Sequence, residues 1–135
     1  MLELVDLTLI GKQLHWNVVG PLFRPLHLYL DELVDEWREL ADAVAERATA
    51  LGFFPDGQCG TIAEKTDFRA LPDRALSDRQ VIYLLQQRVK AAVERARERM
   101  ERLGEIDPAS EDVMIDTVPK LEEQRWMIRA RFETG

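Results

Sequence analysis

The segment HWNVVGPLFRPLHLYLDELVDEWRELADAVAERATALG, residues 15–52, contains both histidines of the chain and predicts one long helix after Gly20-Pro21. Its apolar side chains recur with the 3.6-residue period of a helix that buries one face. They are Leu26, Leu30, Leu33, Val34, Trp37, Leu40, Ala41, Val44 and Ala48. Leu51-Gly52 ends this pattern, because glycine readily adopts the left-handed conformation that closes a helix.

A second stripe on the same helix carries candidate metal ligands and borders the apolar face. At about 100° per residue, its members lie at roughly 0°, 40°, 60° and 100° on the helical wheel; they are His27, Asp31, Asp42 and Glu46. Neutral imidazole together with carboxylates is a ligand set that suits iron, zinc or manganese. The stripe therefore predicts metal binding.

The spacing along the helix limits how such a site can be built. With a rise of about 1.5 Å per residue, His27 lies roughly 22 Å along the axis from Asp42. The pair His27/Asp31 and the pair Asp42/Glu46 therefore cannot hold the same ion within one straight helix. Either each pair forms a weak site of its own, or two antiparallel copies of the helix unite them in two equivalent sites across a two-fold axis.

Length, charge and cysteine content set the general bounds. A chain of 135 residues is expected to form a single domain, residues 1–135, with a core of its own. Its net charge of −7 disfavours nonspecific attraction to nucleic-acid phosphates. The single cysteine offers no disulfide framework within the chain, and neither a signal-like start nor a bilayer-length apolar run is present. We therefore expect a cytoplasmic protein that does not enter a membrane.

The remaining pattern predicts three further long helices. The first covers residues 2–18 and places His15 near its end, the third runs from Ser77-Asp78 to Gly104, and the fourth covers about 109–133. Residues 53–76 form a long connection, with a short helix around 61–66, that we expect to pack across the bundle. No strand pattern is evident. The predicted fold class is an all-α four-helix bundle with a long crossover between the second and third helices.

Several motifs together resemble the Dps-type mini-ferritins, the family of DNA-binding proteins from starved cells within the ferritin-like superfamily. The motifs are His15-Trp16-Asn17-Val18-Val19-Gly20, Phe23, Leu26-His27, Leu30-Asp31-Glu32, Asp42, Ala45-Glu46-Arg47-Ala48, Leu51-Gly52, Leu121-Glu122, Gln124 and Trp126-Met127-Ile128-Arg129-Ala130. The resemblance implies a ferritin-like bundle that assembles from two-fold dimers into a hollow dodecamer. It also implies a ferroxidase that oxidises Fe(II) with hydrogen peroxide or oxygen, stores the ferric mineral and limits oxidative damage.

The resemblance also implies residue roles. His15, His27 and Asp31 of one subunit, with Asp42 and Glu46 of its partner, would be the iron ligands and catalytic residues of the ferroxidase centre. Iron is the implied metal, and we expect zinc as an alternative occupant of the same site in purified protein. Lys12 resembles a family position near the iron. Trp16 and Trp126 are expected in the core in preference to a redox role.

An acidic cluster surrounds the predicted start of the fourth helix. Its members are Glu105, Asp107, Glu111, Asp112 and Asp116. Acids at a helix N-terminus are favoured by about 0.3–1 kcal/mol each, which is the simpler explanation. By resemblance, Asp107, Glu111, Asp112 and Asp116 would instead line a three-fold pore that admits iron.

The resemblance is weakest for DNA. Members that bind DNA often carry a flexible tail rich in Lys and Arg, and this chain shows no such tail. We therefore expect no DNA binding by this chain. The alternative function that remains open is a nucleoid-associated or structural cage protein with little ferroxidase activity.

Overall fold

A computed structural model describes residues 1–66 and 70–132. Its helices are α1 (Leu2–Asn17), α2 (Phe23–Ala50), α3 (Cys59–Lys65), α4 (Asp78–Ile106) and α5 (Pro108–Phe132), and its two short strands are β1 (Val18–Val19) and β2 (Leu76–Ser77). The four long helices, α1, α2, α4 and α5, form a bundle whose α2–α4 connection is the long one. The predicted all-α fold class is therefore confirmed.

The crossover runs the length of the bundle, because α2 and α4 are parallel. The α2 start lies beside the α4 start, where the Leu22 backbone N–H bonds to Asp78 at 3.0 Å. The other end of α2 lies beside the α4–α5 turn, where Arg47 pairs with Asp107 at 2.8 Å. Within the crossover, α3 packs on α1 and buries Ile62, as expected of a long connection.

The prediction of no strands was wrong at one point. β1 and β2 pair in parallel, with Val18 opposite Leu76 and Val19 opposite Ser77. Each strand is two residues long, which is too short to show an alternating pattern in the sequence. The pairing joins the end of α1 to the start of α4, and buries Val18 and Leu76.

The predicted apolar stripe of α2 faces the core, and α4 and α5 each bury one face against it. The largest fully buried side chains are those of Trp37, Leu7, Leu14, Leu26, Leu30, Leu33, Leu76, Leu85, Leu121 and Ile128. The assignment of Trp16 and Trp126 to the core was wrong, because they are 68% and 61% exposed. On α1 the buried face follows Leu4, Leu7, Ile10 and Leu14, which turns Trp16 away from the bundle.

Helix ends agree with the sequence except at Gly104. Ser77 is the N-cap of α4 and forms a capping box with Gln80. The predicted end at Gly104 was wrong, because α4 continues to Ile106. A Cβ at Gly104 would lie 2.6 Å from the Glu111 Oε1 atom on α5. Among the described residues, no helix is both long and apolar enough to cross a bilayer.

Candidate metal centre

The two histidines meet at the turn between α1 and α2. His15 lies in the last turn of α1 and His27 in the first turns of α2, and the reversal of the chain brings their rings face to face. The ring centroids are 3.6 Å apart with an interplanar angle of 21°. The Phe23 ring lies 4.9 Å from that of His27. His15 is 7% exposed, whereas His27 is partly open to solvent.

Reciprocal hydrogen bonds set the tautomer of both rings. His15 Nδ1 lies 2.9 Å from the His27 carbonyl oxygen, and His27 Nδ1 lies 3.0 Å from the His15 carbonyl oxygen. A carbonyl oxygen can only accept, so each Nδ1 carries the proton and donates it. Each neutral ring therefore keeps the Nε2 lone pair for a ligand, which is the arrangement that a metal-binding imidazole needs.

Asp31 lies beside this histidine pair and is held by a lysine. The Lys12 ammonium approaches Asp31 Oδ1 at 2.6 Å, and His15 Nδ1 lies 3.3 Å from the same oxygen. The hydrogen bond from Lys12 holds the pKa of Asp31 below its ordinary value, so the carboxylate stays ionised. The three predicted ligands His15, His27 and Asp31 are thus brought together within one chain.

The turn that joins the two histidine helices is fixed by Asp78, a role that the sequence did not reveal. Asp78 is only 8% exposed and accepts the Leu22 N–H at 3.0 Å and the Arg79 N–H at 2.8 Å. Gly20 has φ +128°, and a Cβ there would lie 2.7 Å from Asp78 Oδ2. The sequence marked Asp78 only as part of the predicted start of α4, because nothing local shows that α4 contacts the α1–α2 turn.

Asp42 and Glu46 lie further along α2, away from His15, His27 and Asp31. Along the helix axis, Asp42 is roughly 22 Å from His27. The Asp42 and Glu46 side chains are both exposed. Asp42 lines an open groove of about 610 Å³ between α1 and α2, together with Val5, Thr8 and Arg38. His15, His27 and Asp31 are neighbours, but within residues 1–66 and 70–132 no three His, Cys, Asp or Glu side chains of one chain are arranged so that they could hold a metal ion by themselves.

The acidic cluster at the α4–α5 turn is not uniform. Asp107 pairs with Arg47 at 2.8 Å and accepts from the Ser110 hydroxyl, and these two contacts, Ser110 foremost, hold its pKa below the ordinary value. Asp107 therefore anchors the end of α2 to the turn. Glu111 is half-buried against Gly104, whereas Asp112 and Asp116 are exposed one turn apart on α5.

Comparison with known proteins agrees with this architecture. The family model described as "Ferritin-like domain" matches residues 3–135. The chain is 36% identical over 130 residues to the fine tangled pili major subunit of Haemophilus ducreyi, which covers 96% of this chain and 69% of that protein. It is 35% identical over 133 residues to the DNA protection during starvation protein of Mycolicibacterium smegmatis, which covers 96% of this chain and 71% of the relative.

Solved structures give the same result. Dps92 from Deinococcus radiodurans superposes with a TM-score of 0.94 at 30% identity, covering 99% of this chain and 81% of that one. DpsA14 from Streptomyces coelicolor superposes with a TM-score of 0.93 at 36% identity, covering 99% of this chain and 80% of the other. The fold of this chain thus has close counterparts of known structure.

Proposed function

Because the chain belongs to the ferritin-like family, as a mini-ferritin of the Dps type, we propose that it is a ferroxidase that stores iron and limits oxidative damage. Iron storage and DNA protection are the general roles of this family. The finer proposal is that Fe(II) is oxidised by hydrogen peroxide, or by oxygen, at a centre shared between two subunits. The ferric product is then held inside a hollow dodecamer.

The observation that carries this proposal is the histidine pair. His15 and His27 are locked in the tautomer that leaves Nε2 free, and an ionised carboxylate, Asp31, stands next to them. Because each Nδ1 is used for a carbonyl oxygen of the other histidine, Nε2 is the ring nitrogen that each imidazole can offer to a ligand. The two imidazoles and the carboxylate are donor types that suit Fe(II), and together they supply part of its ligand set.

The set is incomplete in one chain, and the proposed completion is the partner's Asp42 and Glu46. These two acids are one turn apart, exposed, and on the same stripe of α2 as His27 and Asp31. An antiparallel pairing of two α2 helices across a two-fold axis would place Asp42 and Glu46 of each subunit opposite His27 and Asp31 of the other. The dimer would then contain two equivalent sites. A carboxylate-rich site of this kind favours the ferric over the ferrous state electrostatically, since anionic ligands stabilise the higher charge.

Before iron binds, the Lys12 ammonium is the cation that pairs with Asp31. Lys12 and an Fe(II) ion compete for the same Asp31 oxygen, so binding of the metal displaces the ammonium. Each ferrous ion then gives up one electron, and one peroxide accepts the electrons of two ferrous ions and is reduced to the level of water. In this scheme His15, His27 and Asp31 bind the substrate iron, and Asp31 is the ligand that two iron ions share.

For the path of iron into the cavity we propose Glu111, Asp112 and Asp116. Asp107, which the sequence grouped with them, is occupied by Arg47 and Ser110 and is better suited to hold the turn. Neutralising Asp112 and Asp116 to Asn should slow iron uptake without changing the size of the assembly. Uptake at the wild-type rate by that double variant would remove the pore from the proposal.

The shared site is tested by mixing two inactive chains. One chain carries Asp31→Ala and the other carries Asp42→Ala with Glu46→Ala; both changes are at exposed or half-exposed side chains. After dissociation and reassembly in equal amounts, about half of the dimers contain both chains, and one of the two sites in each mixed dimer is intact. The near-ultraviolet absorbance that grows when ferrous salt and peroxide are added should therefore recover to about a quarter of the wild-type rate.

Two controls make the result decisive. Glu98→Ala with Glu101→Ala removes the same two charges from an exposed face of α4, and that variant should retain the wild-type rate. Light scattering should show one assembly size for all variants. No recovery in the mixture, while each parent chain assembles normally, contradicts a centre shared by two subunits.

A structural role is the second candidate, and one comparison favours it. The relative from Haemophilus ducreyi is named as the major subunit of fine tangled pili, not as an iron protein. A cage that assembles fully but oxidises Fe(II) no faster than the Asp31→Ala variant would support that role. The intact set of five candidate ligands favours the ferroxidase.

Three expectations remain predictions. Zinc suits the same ligands as iron, so metal analysis of the purified protein should find one of the two. Absence of DNA binding, expected from the net charge of −7, is tested by a mobility shift at low salt. A cytoplasmic location is tested by fractionation of cells.

A further inference from the structure

A groove that contains neither histidine is lined by side chains that donate hydrogen bonds. It lies between α4 and α5, has a volume of about 230 Å³, and is bounded by Gln86, Gln87, Lys90, Arg125 and Arg129. Three of these side chains are cations and the other two are amides. None of them belongs to the proposed metal centre or the proposed pore.

The two sequence segments that contain the lining residues carry no acidic residue. Residues 79–90 and 124–132 hold none of the 25 acidic residues but six of the 18 basic ones, namely Arg79, Arg88, Lys90, Arg125, Arg129 and Arg131. The two segments lie side by side, because α4 and α5 are antiparallel. The ion pair between Arg97 on α4 and Glu122 on α5 shows this register just beyond the groove. On a chain of net charge −7 this is a local positive region.

Lys90 and Arg125 are the groups best placed to bind a ligand there. Lys90 is half exposed, and its ion pair with Glu94 is long, at 3.8 Å, beyond hydrogen-bond distance. Glu94 lies one turn further along α4 and is not among the residues that line the groove. Gln86 and Arg129 also make other interactions, so the argument rests on Lys90, Arg125 and Gln87.

We propose that this groove binds a single phosphate-type oxyanion. Guanidinium and ammonium groups form charge-assisted hydrogen bonds with phosphate oxygens, and the amide N–H groups supply neutral donors for the remaining oxygens. A volume of about 230 Å³ holds one such anion with a few waters, each of which takes about 30 Å³. An extended polyanion is disfavoured, since it would also meet Glu94 and the acidic remainder of the surface.

The test is isothermal titration of the metal-free assembled protein with inorganic phosphate at low ionic strength, where screening is weakest. Wild-type protein should show saturable binding with one site per chain. Lys90→Gln and Arg125→Gln should each weaken the affinity about fivefold or more, the loss of one charge-assisted hydrogen bond. Glu94→Gln should strengthen it about twofold, because it removes the competing carboxylate.

The matched control is Arg102→Gln, which changes the net charge equally on an exposed turn of α4 roughly 18 Å from Lys90. Its affinity for phosphate should equal that of the wild type. No saturation by the wild type, or an equal loss in Arg102→Gln, would overturn the proposal. So would a duplex DNA oligonucleotide that binds through Lys90 while inorganic phosphate neither binds nor competes. Circular dichroism and light scattering confirm that each variant is folded and assembled.

Discussion

Replacing Gly20 with alanine tests whether the α1–α2 turn is held by contact with Asp78. The turn places His15 and His27 against each other, and Gly20 meets two separate demands there. Its φ of +128° is strained for any residue with a Cβ, at a cost of about 1–3 kcal/mol. The added Cβ would also lie 2.7 Å from Asp78 Oδ2 and 2.9 Å from Asp78 Cγ, which costs about 1–3 kcal/mol more.

Two other glycines separate these contributions. Gly52 has φ +87° but nothing within 4 Å of its Cβ position, so Gly52→Ala should show the backbone strain alone. Gly57 has neither a positive φ nor a neighbour within 4 Å, so Gly57→Ala should be nearly neutral, within about 0.5 kcal/mol. The expected order of destabilisation is therefore Gly20, then Gly52, then Gly57.

A double-mutant cycle isolates the contact with Asp78. Asp78→Ala alone removes the acceptor of two backbone N–H groups and should cost about 2 kcal/mol, moderated because water can reach Leu22 and Arg79. In that background the Gly20→Ala clash disappears while the backbone strain remains. The double variant should therefore be about 1–3 kcal/mol more stable than the sum of the single effects predicts.

The assay is urea unfolding followed by circular dichroism at one fixed chain concentration, because assembly makes the midpoint depend on concentration. Additivity of the two substitutions to within about 0.5 kcal/mol would refute the reasoning. Equal losses in Gly20→Ala and Gly52→Ala would refute it as well, since the clash would then contribute nothing.

Three further changes test the bundle and its turn. Ser77→Ala removes the N-cap hydroxyl of α4 and should lower the free energy of unfolding by about 1 kcal/mol in the same urea assay, whereas Ser77→Asp should lower it less. Trp37→Phe leaves the buried Gln124 oxygen without its indole donor and should cost about 2 kcal/mol, part of which Gln124→Leu in the same chain should restore. The hydrogen bonds from Ser110 and Arg47 hold the pKa of Asp107 in the folded protein below its ordinary value, so its contribution to stability is present above the ordinary pKa and is lost as the pH falls through the lowered folded pKa. Asp107→Asn should therefore weaken the pairing with Arg47 at neutral pH and make thermal stability depend less on pH in the acid range; an unchanged acid dependence would argue against that pairing.

The sequence was sufficient for the helices because their pattern is local. The 3.6-residue apolar period in residues 15–52 predicted α2 and its buried face, and Ser77 marked the start of α4. Helical spacing also gave the stripe that contains His27 and Asp31. It failed for Trp16 and Trp126, since an aromatic residue next to an apolar face can be buried or exposed according to what packs there.

The amino-acid sequence by itself determined the fold class, the four long helices and the residue types of the candidate metal centre, because helix formation and ligand chemistry depend on neighbours within a few positions. Only the tertiary structure decided that His15 and His27 stack with Nδ1 bonded to each other's carbonyl oxygens and that Lys12 binds Asp31. It also decided that Asp78 fixes the turn and that Asp107 is taken by Arg47. These contacts join residues far apart in the chain, and their geometry follows from how the packed helices direct each side chain.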